Sequence, residues 1–422
     1  MDKSVFDTAG MLEPFDSQFF HGTALGTCVV LGGSGYVGSC LAWTLAQMVA
    51  PGLVNEVIVM DVKPPPAPLL RLKQVSYCEA VLGAGVLEQS SREIFERANG
   101  GSVFYVASSS PRDLNGNTAY AVNVLGVEEA LQLARMCGVR SFIYTSTHNV
   151  VFDGKRSFRM ADEMTAPIPK RHMDAYSATK AEGERRVLGA DGILDMRTCA
   201  LRPCGIYGPG ENFHFERQRA LALVGLHSTR ILPILQKSMD WVYVSNVVDA
   251  HILAAQVLHK TDPKSRKNYT AGRAFFISEN NPAPCLQTFF HPMFFAGGIR
   301  IGRVLLAIPW PFAHALALGA EFYARLTGTY PILSRMEVAK LRIEHTFSSK
   351  RAVVFGYKPR VVQADGVLRC CAFEKTRPRA AYVQAEARNA RFQFALRASF
   401  TFLLFFLNLT LCLWILTSPI WL

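Results

Sequence analysis

Zinc-ligand spacing is missing from this chain. Its ten cysteines are scattered, and none stands in a Cys-x-x-Cys pair or a Cys/His cluster, which argues against a zinc site. The same scatter offers no disulfide framework and suits reduced thiols. A secretory signal is missing too. Residues 1–26 are mixed and polar, with Asp2, Asp7, Glu13 and Asp16 where an apolar run would stand, and they read as a flexible leader. The stretches 205–240 and 280–335 hold no basic cluster suited to a nucleotide diphosphate, which disfavours a nucleotide-sugar enzyme. Charge is absent altogether from Ala398 to Leu422. What is present is a chain of 422 residues, half of them hydrophobic, enough for one large α/β domain or two smaller ones.

The first predicted strand, Thr27 to Leu31, runs into Gly32-Gly33-Ser34-Gly35-Tyr36-Val37-Gly38, and a helix follows. Glycines at this spacing give a tight turn, a backbone open to a pyrophosphate and close helix–strand packing. The helix N-terminus then faces the phosphates. A second strand ends at Asp61, 23 residues after Gly38. A carboxylate there binds both adenosine ribose hydroxyls and repels a 2′-phosphate, which favours NAD. Lys63, two residues on, leaves NADP open. Buried strands follow at Ser102 to Ala107 and Ser141 to Thr147, the latter apolar at its start and rich in hydroxyls at its end. The pattern predicts an α/β fold: a Rossmann-type doubly wound parallel sheet, with ligands at the carboxyl ends of its strands.

Tyr176 and Lys180 stand four apart in a helix-friendly run. Residues at that spacing share a helix face. A free phenol titrates near pH ~10, and a cation one turn away is expected to lower it into use as a general acid/base for an alcohol–ketone conversion. Thr147 falls in the layer that would meet Tyr176.

With these motifs in order, the chain resembles an extended short-chain dehydrogenase/reductase, and more narrowly the 3β-hydroxysteroid dehydrogenase/isomerase family. The resemblance is carried by the glycine turn at 32–38, by Asn123 to Gly126, Tyr144 to Phe152 and Tyr176 to Lys180, and by Arg197 to Gly210, Trp241 to His251 and Gly272 to Ser278. It extends to about residue 370. It implies that Tyr176 is the proton donor/acceptor. Lys180 would bind the nicotinamide ribose, and Thr147 would hold the substrate oxygen, with Ser146 the alternative. Asn123 would support the proton path by fixing a water near Lys180. Gly32, Gly35, Tyr36, Gly38, Asp61, Ala107 and Pro203 would contact NAD. It also implies a homodimer paired through the helices carrying residues 120–137 and 176–190. Two departures stand out. Leu31 replaces a common threonine before the turn, and Tyr77-Cys78-Glu79-Ala80 replaces the usual Gly-Asp at the adenine, leaving Glu79 as its substitute.

The expected plan is a leader at 1–26, a dehydrogenase domain at 27–374 (27–204 mainly cofactor-binding, 205–374 mainly a smaller substrate lobe), a basic linker at 375–397 and a transmembrane anchor at 398–422. Phe289, Phe290, Phe294 and Phe295 are candidates to line a flat apolar pocket, with ordinary core or membrane contact as the other reading. The uncharged tail is 25 residues long, and the linker before it carries six basic residues against one acid. These features predict a single-pass C-terminal helix with the catalytic domain in the cytosol, at the endoplasmic reticulum. The net charge of +12 thus partly reflects the linker and not a nucleic-acid partner. The expected reaction is NAD-dependent oxidation of a 3β-hydroxyl on a small apolar steroid or sterol. The alternatives are a decarboxylating sterol-4α-carboxylate 3-dehydrogenase, a nucleotide-sugar epimerase or dehydratase, and a cofactor-binding membrane protein without turnover.

Overall fold

The computed structural model describes residues 16, 19–20, 22–83, 89–111, 114–223, 229–232, 237–260, 269–283, 286–299, 301 and 306–377. Seven strands form the central sheet. They are β1 (Cys28–Leu31), β2 (Val57–Asp61), β3 (Val75–Glu79), β4 (Ser102–Tyr105), β5 (Ser141–Thr145), β6 (Arg197–Pro203) and β7 (Arg273–Ile277). Their order is β7-β6-β5-β4-β1-β2-β3, and every neighbouring pair is parallel. The chain runs outward from β1 to β3, then returns to lay β4 on the other side of β1. Strand ends on either side of such a reversal diverge and open a crevice.

The inner strands β1, β2 and β4 are almost wholly apolar because both faces are covered. Successive residues point to opposite faces. Cys28 and Val30 of β1, with Val57 and Val59 of β2, belong to one core, and Val29, Leu31, Ile58 and Met60 belong to the other. The first core is closed by α1 (Tyr36–Gln47), through Leu41 and Leu45. The second is closed by α2 (Gly126–Met136), through Val127, Ala130 and Leu131, and by α3 (Ala175–Gly189), through Val187. The helix α4 (Val244–Lys260) returns to the first face beside α1. Phe20 and Leu25, in the stretch read as a leader, are fully buried in that core.

Two short parallel strand pairs with described side chains lie beyond the sheet: Gly205–Tyr207 with Trp241–Tyr243, and Phe158–Ala161 with His345–Phe347. The helix His214–Leu223, α5 (Trp310–Thr327) and α6 (Arg335–Arg342) stand around them. Pro309 and Pro311, which interrupt an apolar run in the sequence, start α5 in the structure. Proline suits a first helical turn because its missing N–H would be unpaired there anyway.

Two expectations are corrected. The transmembrane helix at 398–422, and the single-pass membrane localisation drawn from it, find no support: among the described residues no helix is long and apolar enough to cross a membrane. The last described helix ends at Thr376, and residues 398–422 lie outside the described residues. The phenylalanines, left open between pocket wall and core or membrane contact, divide between core and surface. Phe289 stacks on Trp241 with ring centroids 4.4 Å apart, Phe290 and Phe294 are fully buried, and Phe295 is exposed. None of the four lines the large cavity described below, so they are core and surface and not pocket wall.

Candidate active site

The glycine turn sits at the crevice between β1 and β4. Gly32 has φ +80°, and a Cβ on it would lie 2.5 Å from the Ala107 backbone at the end of β4. A Cβ on Gly38 would lie 2.2 Å from the Gly32 carbonyl oxygen, so only glycine lets α1 start this close to the strand. Gly35, at the helix N-cap, would bring its Cβ near nothing but that same carbonyl, leaving the space over the turn open. Asp61 ends β2 beside it, and its Oδ2 accepts the Ser34 N–H at 3.0 Å. The carboxylate therefore braces the turn as well as facing the cavity. Tyr36 donates its hydroxyl hydrogen to the Pro209 carbonyl at 3.2 Å, tying the turn to the chain after β6.

A cavity of about 640 Å³ runs from this turn across the strand ends to the helix His214–Leu223 and α6 beyond the sheet. Gly32, Gly35, Tyr36, Gly38, Asp61, Ala107, Thr147, Tyr176, Lys180 and Pro203 all line it. Of the expected residues, Asn123 stands just behind that wall, and Glu79 is exposed at the end of β3 while Ala80, Val81 and Leu82 form the wall there. The open glycine backbone, the helix N-terminus and the carboxylate at the end of β2 fit a dinucleotide.

Tyr176 enters from the first turn of α3. Asp174 caps that helix, accepting the Ser177 N–H at 2.7 Å and the Ser177 hydroxyl at 2.9 Å. The Tyr176 phenol faces Ser108 and Thr147, whose hydroxyls favour its ionised form. Thr147 also accepts the Asn149 N–H at 3.2 Å, which fixes its rotamer. Ser146, the alternative, points the other way and donates to Glu184 Oε2 at 2.6 Å.

Lys180 is fully buried. Its Nζ donates to the Thr145 carbonyl at 2.7 Å and lies 4.4 Å from the Tyr144 ring centroid. Beneath it, His251 accepts from the Thr145 hydroxyl at 2.7 Å through Nε2 and donates from Nδ1 to the Val247 carbonyl, also at 2.7 Å. Burial holds that imidazole neutral, with its pKa lowered to about 4.

The electrostatics differ from the expectation that Lys180 would lower the phenol. Burial pushes the Tyr176 pKa up to about 12, and the Ser108 and Thr147 hydroxyls beside it only partly offset the rise. Burial pushes Lys180 down to about 7, against the attraction of Glu184. Removing a charge from water costs more here than the neighbouring groups return.

Asn123 lies in a π-helical turn, Ala121–Leu125, between the helix Gly116–Tyr120 and α2. The helix thus begins before the Asn-Val-Leu-Gly run and bulges at it. Such bulges cluster at functional sites. Asn123 Nδ2 donates to Thr179 at 3.0 Å and to Ser109 at 3.1 Å, while its Oδ1 accepts from Ser108 at 3.3 Å. Its partner Ser108 stands beside the Tyr176 phenol, and its partner Thr179 precedes Lys180.

Sequence reasoning missed Ser108 and Glu184. Glu184 follows Lys180 by four residues and Tyr176 by eight, so one stripe of α3 carries all three; that spacing was the available signal. The pocket-side helix α6 was also missed, because nothing local in residues 335–342 says which way it faces.

Comparison with known proteins agrees with this geometry. The model of the 3-beta hydroxysteroid dehydrogenase/isomerase family matches residues 29–308. Short-chain dehydrogenase/reductase family 42E member 1 of Bos taurus is 33% identical over 346 residues, covering 79% of this chain and 83% of that protein. The decarboxylating sterol-4-alpha-carboxylate 3-dehydrogenase of Candida albicans is 31% identical over 351 residues, covering 82% of this chain and 96% of that protein. Among solved structures, the UDP-glucose 4-epimerase of Thermus thermophilus in complex with NAD superimposes with a TM-score of 0.58 at 20% identity, over 84% of this chain and all of that one. At that identity the likeness speaks for the fold alone. The chain is an oxidoreductase and belongs to the 3-beta hydroxysteroid dehydrogenase/isomerase family.

Proposed function

We propose that the protein oxidises the 3β-hydroxyl of a steroid or sterol with NAD. One observation carries the reading: the Tyr176–Lys180 pair, with Lys180 buried and Thr147 beside the half-buried phenol, shares one cavity with the glycine turn and Asp61. NAD, when bound, supplies the hydride acceptor. The chain's residues do the rest. Thr147 and Tyr176 hold the substrate hydroxyl between them, and Tyr176 takes its proton as the carbon loses hydride. Lys180 holds a ribose hydroxyl and, while charged, favours the phenolate. Asn123 and Ser108 connect the phenol to the interior of α2. Gly32, Gly35 and Gly38 leave room for the pyrophosphate, Asp61 binds the adenosine ribose, and Ala107, Tyr36 and Pro203 complete the walls. Asp61 makes NAD the preferred cofactor over NADP.

The test is reduced-cofactor formation by the purified protein, given NAD and a panel of 3β-hydroxysteroids, sterols and UDP-sugars. Sterol turnover that vanishes in Tyr176→Phe supports the reading. Turnover of a UDP-sugar instead, or tight NAD binding with no sterol turnover, sinks it. The implied homodimer belongs to the same reading. Tyr120, Leu125 and Met136 expose apolar surface along the helices at 116–136, and light scattering of the purified protein checks the pairing.

A further inference from the structure

The end of the cavity away from the glycine turn has an uneven charge inventory. Its carboxylates are all engaged. Glu211 accepts the N–H groups of Phe213, His214 and Phe215 at 2.7–3.0 Å, capping the helix His214–Leu223. Glu337 pairs with Arg217 and accepts from Ser334, whose N–H and hydroxyl lie at 2.9 and 3.0 Å. Glu321 accepts the N–H and the Nε of Arg335, both at 2.8 Å. Asp174 is committed to Ser177. Arg217 is committed as well, to Glu337 and to the Ile332 carbonyl at 2.9 Å. Lys340 is different. It lines the same cavity, and among the described residues its ammonium has no hydrogen bond and no ion pair; Asp174, Glu337 and Cys204 act on it only through space.

Its placement puts that cation beside the reacting end. Met336 and Ala339 of α6 pack with Phe152 and Met173, and Met173 precedes the Asp174 cap of the helix that carries Tyr176. Lys340 follows Met336 by one turn, so it shares that face. It is felt by His148 and Cys204, the neighbours of Thr147 and Pro203. Met173, Met239, Cys204, Phe213 and Pro331 give the same cavity apolar surface beside these committed polar groups. Lys340 is half-buried, its ammonium opens on the cavity without a partner in the described chain, and an anionic ligand group would supply one. The ammonium stays largely protonated at neutral pH, its pKa lowered by burial to about 8.

We infer that Lys340 receives a carboxylate borne by the substrate next to the reacting hydroxyl, making the chain selective for hydroxy-acid sterols over neutral ones. The inference rests on the dehydrogenase reading above and names the residue that sets its substrate class. A neutral 3β-hydroxysteroid leaves the cation unpaired. A sterol with a carboxylate on the carbon beside the carbinol fills the apolar walls with its rings and meets the cation with its acid. Lys340 takes no part in the hydride or proton transfer, so it acts on selectivity and not on the chemical step.

The experiment compares two substrates in the full-length protein: a 4-carboxysterol and the same sterol without the acid, each with saturating NAD. The wild type is expected to favour the acid. In Lys340→Met the ratio of the two kcat/KM values should fall by roughly 10–100-fold, through KM for the acid, as befits the loss of one charged hydrogen bond. Lys340→Arg should restore most of the ratio. NAD affinity, read by fluorescence, confirms that each variant is folded. An unchanged ratio in Lys340→Met, or equal loss on both substrates, overturns the inference and leaves the dehydrogenase reading standing. Turnover of neither sterol by the wild type, with NAD bound, sinks that reading and the inference with it. Binding of UDP-glucose that depends on Lys340 would assign the cation to a phosphate and overturn it too.

Discussion

Glu184 grips Arg202 with both carboxylate oxygens, Nε to Oε2 at 3.0 Å and the terminal nitrogen to Oε1 at 2.5 Å, in a site where both side chains are buried. The pair joins α3 to the end of β6, one residue before Pro203, and Ser146 of the β5 end adds a third bond to the same carboxylate. The helix that carries Tyr176 and Lys180 is thereby pinned to two strand ends. Removing one partner of such a pair strands a buried charge, at a cost of about 3–5 kcal/mol. Glu184→Gln is therefore expected to lower stability by about that much, read by denaturant unfolding. Adding Arg202→Met should recover part of the loss, since no charge is then left alone. A single variant that unfolds within about 0.5 kcal/mol of the wild type would mean that the pair does not hold the site together.

The Tyr176 phenol, with its pKa raised to about 12, is protonated at neutral pH. Oxidation needs the phenolate and reduction needs the phenol. The oxidation rate should therefore climb with pH across the neutral range, while the reverse reaction stays nearly flat there. Tyr176→Phe should lose roughly 10²–10⁴-fold in kcat in both directions with NAD affinity kept. Initial rates of both directions against pH check this. An oxidation rate that levels off below pH ~7 would require the bound cofactor to lower the phenol far more than burial raises it.

Asp61 does two things at once, facing the cavity and holding the Ser34 N–H. Asp61→Asn keeps the side-chain oxygen but removes the charge that would repel a 2′-phosphate. The expected outcome is a modest loss of NAD affinity and a clear rise in the NADP-to-NAD ratio of kcat/KM, by roughly tenfold or more. A variant as strict for NAD as the wild type would place the discrimination elsewhere. Gly38→Ala serves as the contrasting control. Its Cβ would fall 2.2 Å from the Gly32 carbonyl oxygen, backbone that cannot yield, so both cofactors should lose affinity together.

The cofactor half was legible because its signals are local. The strand before Gly32, the glycines at 32–38 and the carboxylate at Asp61 lie within 35 residues, and the geometry they require allows few alternatives. Tyr176 and Lys180 were legible from one helical spacing. The partners of that pair were not. Ser108, just past β4, stands beside the phenol, and Arg202 of β6 holds the same helix through Glu184; they lie 68 residues before Tyr176 and 26 after, and only the sheet order brings them together. Burial was equally invisible, so the cation was expected to govern the phenol where desolvation does. The phenylalanines at 289–295 stayed open for a related reason: an aromatic cluster reads alike whether it lines a pocket or packs on Trp241. Lys340 has no sequence signature at all, since its meaning comes from the neighbours that leave it unpaired.

Acid should destabilise the fold through its histidines. Burial lowers His251, His259 and His345 to about 4 and holds His148 well below its ordinary value. Each is neutral in the folded chain at pH 5–6 but takes a proton when the chain unfolds. That stability is complete above about pH 6.5 and is lost as pH falls toward 4. Two buried acids oppose it. Burial raises Asp240 and Glu279 to about 7, so they hold protons in the folded state that the unfolded chain releases, and their contribution grows as pH falls through that same range. Four protons against two leave the histidines ahead, with a net slope on the order of 3 kcal/mol per pH unit near pH 5.5. The thermal midpoint is expected to drop steeply between pH 6.5 and about 5. His251→Gln keeps an acceptor for the Thr145 hydroxyl but cannot titrate, so it should shallow that slope by one proton, and Asp240→Asn should steepen it. A midpoint that holds level across this window, or a slope that neither variant moves, would mean that these groups are already hydrated in the folded protein.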